Sequence, residues 1–225
     1  PNAAEDSMVA RDIAISRLTG GHIHVAHIST KGSLELVRDA KLRGTKITCE
    51  VTPHHLFMTD ADIDPIVRGR YVVSPRLNTQ SDQNALWQGI ADGVVDCIAT
   101  DHAPHTLQEK DSQNPPPGFP GLETGLALML GAVRGGRLTM DLLVELMHIN
   151  PARIFRLAPQ PETWIEVDMN KKWEVNASGF HSRCGWSPFE GIKLHGCVNK
   201  VSLRSKVVYS NGEVLGCVGN GRYVN

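Results

Sequence analysis

The sequence lacks any apolar run approaching the roughly 20 residues needed to cross a bilayer, and its opening Pro1-Asn2-Ala3-Ala4-Glu5-Asp6 lacks the charged and apolar regions of a signal peptide. A membrane-spanning helix and a secretory leader are therefore not expected. It lacks an excess of either charge: 23 Lys and Arg face 24 Asp and Glu, a net charge of -1. That balance gives no reason to expect nucleic acid or an anionic membrane as a partner. No C-x-x-C pair occurs among the five cysteines, and their odd number excludes a simple disulfide framework and a zinc ribbon. Reduced thiols in a cytoplasmic protein are expected. There is no internal repeat, no low-complexity tract and no initiating Met, so further residues are expected upstream of Pro1.

What is present is ordinary globular material, 41% hydrophobic and 21% charged over 225 residues, enough for a real core. Apolar spacing predicts a helix over 5–18 stopped by Gly20-Gly21, a strand over 23–28, a helix over 33–42 closed by Gly44, and a strand over 45–51. A further helix near 83–91 leads into the almost wholly apolar run 94–100, the pattern of a buried parallel strand. Strands alternating with helices imply a parallel α/β sheet or barrel, with active sites at the carboxyl ends of the strands. Residues 113–121, with Pro115-Pro116-Pro117-Gly118, must be a loop. Helices are expected again at 122–133, 140–148 and 151–156. Past about Leu157 the short β-rich segments 165–167, 198–203, 206–209 and 213–217, separated by Gly and Asn, predict an antiparallel β tail.

Seven of the ten histidines cluster: His22, His24 and His27; His54 and His55; His102 and His105. Clustered His beside Asp suggests metal or acid–base chemistry, although a single His is more often a surface or hydrogen-bonded core residue. His22-Ile23-His24 has the H-x-H form of many metal sites. Strand alternation separates that pair from His27, however, and with His27 turned inward His24 would face the helices, which favours a structural role for both. Asp101 ends the apolar run. A carboxylate at the mouth of a buried strand needs a partner, a hydrogen bond or a metal; capping a helix is the alternative, and His102 and His105 beside it favour a site.

These residues carry a family likeness. His24-Val25-Ala26-His27-Ile28-Ser29-Thr30-Lys31, Glu50-Val51-Thr52-Pro53-His54-His55-Leu56 and Ile98-Ala99-Thr100-Asp101-His102-Ala103-Pro104-His105-Thr106 resemble, in order and spacing, three motifs of class I dihydroorotases. Gly118-Phe119-Pro120-Gly121-Leu122-Glu123-Thr124 resembles that family's loop after the last barrel strand. The resemblance implies an α/β fold, the C-terminal part of a (β/α)8 TIM barrel (about strands 6–8) over 1–157, then a small antiparallel β segment over 158–225. It implies reversible interconversion of L-dihydroorotate and N-carbamoyl-L-aspartate in pyrimidine biosynthesis, with two zinc ions holding a hydroxide and an Asp moving the proton. Carried over by motif, His27 is a zinc ligand, Asp101 both zinc ligand and catalytic base, and Ser74, His105, Pro117 and Gly118 bind the substrate. His54 and His55 are supporting residues. The family also implies a homo-oligomer or a complex with aspartate transcarbamoylase.

Two departures stand out. Ser74-Pro75-Arg76-Leu77-Asn78 replaces the family's Asn-Pro-Pro-Leu-Arg, losing an amide that contacts substrate. The family's first-strand H-x-H, bridging residue and fifth-strand His have no counterpart. A whole barrel needs about 250 residues and a zinc centre about four ligands. With strands six to eight alone and two ligands, the chain by itself is expected to be inactive, its first strand left with an open edge. A non-catalytic dihydroorotase-like scaffold of aspartate transcarbamoylase, and a hydantoinase or allantoinase, are the alternatives; the motifs around His27 and Asp101 favour dihydroorotase over the last two.

Overall fold

The computed structural model describes residues 2–223; Pro1 and the last two residues of the expected β tail, 224–225, lie outside the described residues. The chain forms two compact units, Pro1–Gly125 with Asn176–Glu190, and Leu126–Val175 with Gly191–Asn225.

The first unit begins with α1 (Asn2–Thr19), ended where Gly20 takes a left-handed turn (φ 69°) and donates its N–H to Ser16 O. Only Val9, Ile13 and Ser16 of α1 are buried, whereas Met8, Ile15 and Leu18 of the expected apolar face stay exposed. Three parallel strands follow, β1 (Ile23–Val25), β2 (Ile47–Val51) and β3 (Cys97–Ile98), in the order β1-β2-β3. Between them run α2 (Lys31–Leu42), the short α3 (Pro53–Phe57) and α4 (Gln80–Ala91). Thr30, Thr52 and Thr79 each accept an N–H of the first turn of the following helix, so each of these three helices carries its own cap.

Ile47, Cys49 and Val51 form the buried face of β2 and join Leu34, Val37 and Ala40 of α2 and Leu86 and Ile90 of α4 in the core. The two helices approach closely at Gly89, where a Cβ would meet Leu34 Cδ2 at 2.8 Å. Lys41 ties the layers together by donating to Asp96 Oδ2 (2.6 Å), which also accepts the Cys49 N–H (2.8 Å). Cys49 and Cys97 are buried free thiols, and burial pushes Cys49 up to about 12, so it behaves as a small apolar residue.

Two strands are shorter than the sequence implies. β1 stops at Val25, because His27 turns into the left-handed region (φ 40°), although the ladder still reaches Ile28, whose N–H donates to Glu50 O. At the other strand Val94 and Val95 both donate to Gly89 O, closing α4, and regular pairing is confined to Cys97–Ile98. A short helix α5 (Leu107–Lys110), capped by Thr106 and Glu109, precedes the proline loop. No helix among the described residues is long and apolar enough to cross a membrane.

In the second unit the rest of α6 (Leu122–Arg134) leads to α7 (Met140–Val144), a π-helical turn Glu145–Ile149, and α8 (Asn150–Ile154). The sequence predicts a break before Pro151. The structure instead continues the helix by widening one turn: Asn150 N–H donates to Glu145 O, five residues back. Four antiparallel strands follow, β4 (Trp164–Glu174), β5 (Lys193–Leu203), β6 (Lys206–Ser210) and β7 (Glu213–Val214), in sequential order. β4 and β5 are each 11 residues long, far longer than the short segments read from composition, because bulges between Glu166 and Val167 and between Asp168 and Lys172 absorb their interruptions.

Candidate active site at the strand ends

Polar residues gather where the three parallel strands end. His27 follows β1, Thr52 to His55 follow β2, and Asp101 to His105 follow β3. His27 and Asp101 share an uncommon backbone, left-handed at φ 40° and 47°. His and Asp are among the few side chains that tolerate this region, and each such residue costs on the order of 1–3 kcal/mol that its surroundings must offset. For His27 those surroundings are visible. Glu5 on α1 accepts the Ser29 and Thr30 N–H groups (3.0 and 3.2 Å) and the Ser29 hydroxyl, and Asp6 accepts the Thr30 hydroxyl (2.6 Å) and that of Ser33 (2.9 Å). Buried Asn78 donates to Ser29 O (3.2 Å) and Ser29 Oγ (2.8 Å).

His54 and His55 are both 3% exposed, with ring centroids 4.4 Å apart. His55 is fully engaged: Nδ1 lies 2.7 Å from Thr52 Oγ1, and Nε2 lies 3.1 and 3.2 Å from the Pro75 and Arg76 carbonyls. Burial holds His55 down to about 4 against those carbonyls. Burial, with the neighbouring His55 and His27 charges, pushes His54 down to about 2, so both rings are neutral at pH 7.

Two buried ring nitrogens find no hydrogen-bond partner among the described residues, His27 Nδ1 and His54 Nε2. An orphaned imidazole nitrogen is what a metal ligand looks like without its metal, and Asp101 likewise takes part in no hydrogen bond or ion pair among the described residues. Imidazole and carboxylate are zinc donors. His27 and Asp101 therefore fit as part of a metal centre. No group of three or more His, Cys, Asp or Glu among the described residues could hold a metal unaided.

His24 lies with Thr48 and Glu50, its Nδ1 2.8 Å from Thr48 Oγ1 and its Nε2 3.1 Å from Glu50 Oε2, and His22 Nε2 also reaches Thr48 Oγ1 (3.0 Å). Alternation does group His22 with His24, but on the half-buried polar face of the sheet, opposite the buried Ile47, Cys49 and Val51. His24 does not face the helices. The alternation argument fails at His27, whose left-handed backbone breaks the strand's period.

His102 Nδ1 accepts the Gly121 and Leu122 N–H groups (3.1 and 3.3 Å), so the neutral ring carries its proton on Nε2. His105 is half-buried, and its carbonyl accepts Trp186 Nε1 (2.6 Å). Gly118 is buried at φ 140°, where a Cβ would sit 2.5 Å from Ala103 O, and its N–H donates to Val72 O (3.0 Å); Pro117 beside it is exposed. Ser74 is exposed and makes no hydrogen bond among the described residues. Sequence reading passed over Glu5, Asn78 and Lys110, which hold these segments: Glu5 sits in an unremarkable helix, Asn78 reads as a departure, and Lys110 lies in a charged stretch that looks solvated.

No family model matches the sequence. Among curated proteins, the chain is 52% identical over 89% of its length to the multifunctional protein pyr1-3 of Dictyostelium discoideum, of which it spans 9%. It is 40% identical over 95% of its length to the dihydroorotase of Anaeromyxobacter sp. (strain K), spanning 51% of that protein. The chain thus covers about half the length of the curated dihydroorotases it matches. Among solved structures, an L-hydantoinase (dihydropyrimidinase) from Arthrobacter aurescens superposes with a TM-score of 0.94 at 29% identity, over 100% of this chain and 52% of that one. The inactive dihydroorotase-like domain of the Chaetomium thermophilum CAD-like multifunctional protein superposes with a TM-score of 0.75, also at 29% identity, over 92% of this chain and 56% of that one. The backbone is part of the TIM-barrel fold of these amidohydrolases, and in sequence the chain is a relative of dihydroorotases along 93–95% of its length.

Proposed function

We propose that the protein carrying this chain is a dihydroorotase that interconverts L-dihydroorotate and N-carbamoyl-L-aspartate in pyrimidine biosynthesis, and that residues 1–157 supply strands six to eight of its barrel and 158–225 the β segment of its small domain. The observation that carries this is the pair His27 and Asp101: both at strand ends, both held in a costly backbone, both with polar atoms that no described residue engages. In this reading they hold zinc with ligands from outside this chain. Zinc supplies Lewis acidity and makes water a competent nucleophile near neutral pH.

The chain's own residues do the rest. Asp101 takes the proton from the attacking water and hands it to the departing ring nitrogen. The transfer is needed because without a proton the ring nitrogen would have to leave as a strongly basic anion, and general acid–base transfer of this kind is worth about 10²–10⁴ in rate. His105 meets the substrate carboxylate, and the backbone of Pro117 and Gly118 lines the pocket with Ser74. With two zinc donors of its own, the chain by itself is inactive.

Identity of 40% to a dihydroorotase along 95% of the chain favours this substrate over a hydantoin. A second reading, a non-catalytic scaffold working with aspartate transcarbamoylase, is favoured by the likeness to an inactive domain and by exposed Ser74, which makes no hydrogen bond among the described residues. The test is zinc content and dihydroorotate ring opening in the full-length protein, wild type beside Asp101→Ala. Zinc-dependent turnover that collapses in the variant supports the enzyme; a zinc-free, inactive wild type supports the scaffold.

A further inference from the structure

Lys110, the last residue of α5, is 0% exposed. Its Nζ donates to three backbone carbonyls, Val72 O at 2.7 Å, Pro116 O at 2.9 Å and Gly118 O at 3.2 Å. The Phe119 and Trp186 rings flank it at 5.7 and 5.9 Å. An ammonium has three N–H donors and no acceptor, so these carbonyls use all of them. No carboxylate pairs with it among the described residues: Asp111 is engaged by Arg70, Glu109 by Thr106 and Glu190 by the Ala177 N–H.

Burying an uncompensated cation is costly, and Met would fill the same space without that cost. The explanation lies in the loop it faces. Pro115, Pro116 and Pro117 have no N–H, so three successive residues cannot anchor this segment through their own amides, and the carbonyls they expose need donors from elsewhere. Gly118 supplies one N–H, to Val72 O, the same carbonyl that Lys110 takes.

We propose that Lys110 is a positioning residue for substrate, whose three N–H donors replace those the prolines lack and fix the Pro116–Gly118 backbone to Val72 in the shape the pocket requires. This rests on the reading that Pro117 and Gly118 line the substrate pocket. Lys110 itself touches no reacting atom, so it governs binding and leaves the chemical step alone.

The experiment uses the full-length protein with Lys110→Met and Lys110→Arg. In Lys110→Met, KM for dihydroorotate rises about tenfold or more while kcat stays within about threefold and zinc content is unchanged; Lys110→Arg recovers most of the KM. Hydrogen exchange reads the same anchoring without activity: the Gly118 amide loses about tenfold or more protection in Lys110→Met while Leu86 in α4 keeps its own. A folded Lys110→Met with unchanged KM or unchanged Gly118 protection overturns the proposal, as does a fall in kcat at constant KM.

If Lys110→Met does not fold, the wild type still decides. Burial pulls the Lys110 amine down to about 8, and the neutral amine has one donor fewer. The charged and titratable groups on the segments packed around it include Arg68, Arg70, Tyr71, His105, Glu109, Asp111 and Glu190. Protection at Gly118, corrected for intrinsic exchange and referenced to Leu86, falls between about pH 7 and about pH 9; constant protection overturns the proposal. Should the wild type fail to open dihydroorotate, the functional reading falls, and Gly118 protection alone judges Lys110.

Discussion

His54 stands edge-on to Phe119, ring centroids 5.2 Å apart and planes at 83°, and thereby joins the end of the second strand to the proline loop. Phe119 in turn stands edge-on to Trp186 at 6.2 Å and is 1% exposed. Phe119→Ala removes both contacts and leaves a cavity, and the expected loss is about 3–5 kcal/mol, measured by urea unfolding of the full-length protein. A loss under about 1 kcal/mol would mean that the loop is held elsewhere.

Acid should destabilise the protein through two histidines. His54 and His55 sit at about 2 and about 4 in the folded state against an ordinary 6.5. Below pH 6.5 the unfolded chain takes up protons that the folded chain refuses, so stability is complete above that value and falls with pH at about 1.4 kcal/mol per unit per group. The window runs from 6.5 to about 4 for His55 and further down for His54. His55→Gln should flatten the fall of urea midpoint with pH between 6.5 and 4.5; an unchanged slope would count against neutral burial of His55.

Removing either proposed donor should strip metal before it harms the fold. Asp101→Asn keeps a side chain that accepts the left-handed backbone, so the expected outcome is an intact unfolding midpoint, reduced zinc by elemental analysis and a loss of about 10³-fold in kcat. His27→Asn should behave likewise in zinc content. Full zinc occupancy in both variants would remove them from the metal centre.

Gly118→Ala tests the backbone of the loop. The new Cβ would sit 2.5 Å from Ala103 O at a φ of 140°, which only glycine adopts without strain. The loop must shift, at a cost of about 1–3 kcal/mol, and KM for the ring substrate should rise with kcat less affected. Unchanged KM would place the substrate away from Gly118.

The parallel β-α-β order and most helix positions are legible in the sequence because apolar periodicity and glycine stops agree along 5–134. The strands were harder. Val94 and Val95 look like strand, yet their N–H groups close α4 by bonding to Gly89 O, a choice that apolarity cannot reveal. The β tail was visible as fragments and not as two 11-residue strands, since bulges interrupt the alternation that pattern reading relies on. At the site, His27 and Asp101 carry a motif and could be found. Their left-handed backbone, the Glu5 carboxylate beneath Ser29 and Thr30, and the Lys110 clamp depend on contacts between segments 24 or more residues apart, or on a lysine that composition places in solvent.

The π turn at Glu145–Ile149 also sets a phase. One turn with an extra residue delays every side chain after it by about 100° around the helix axis, and it widens the ladder where Pro151 can neither donate nor tolerate a carbonyl four residues back. Shortening 145–149 by a single residue would thus do more than trim a loop-side helix. It would return this turn to ordinary α spacing with Arg153 and Ile154 in their present phase, and bring the Pro151 ring against the backbone it at present avoids.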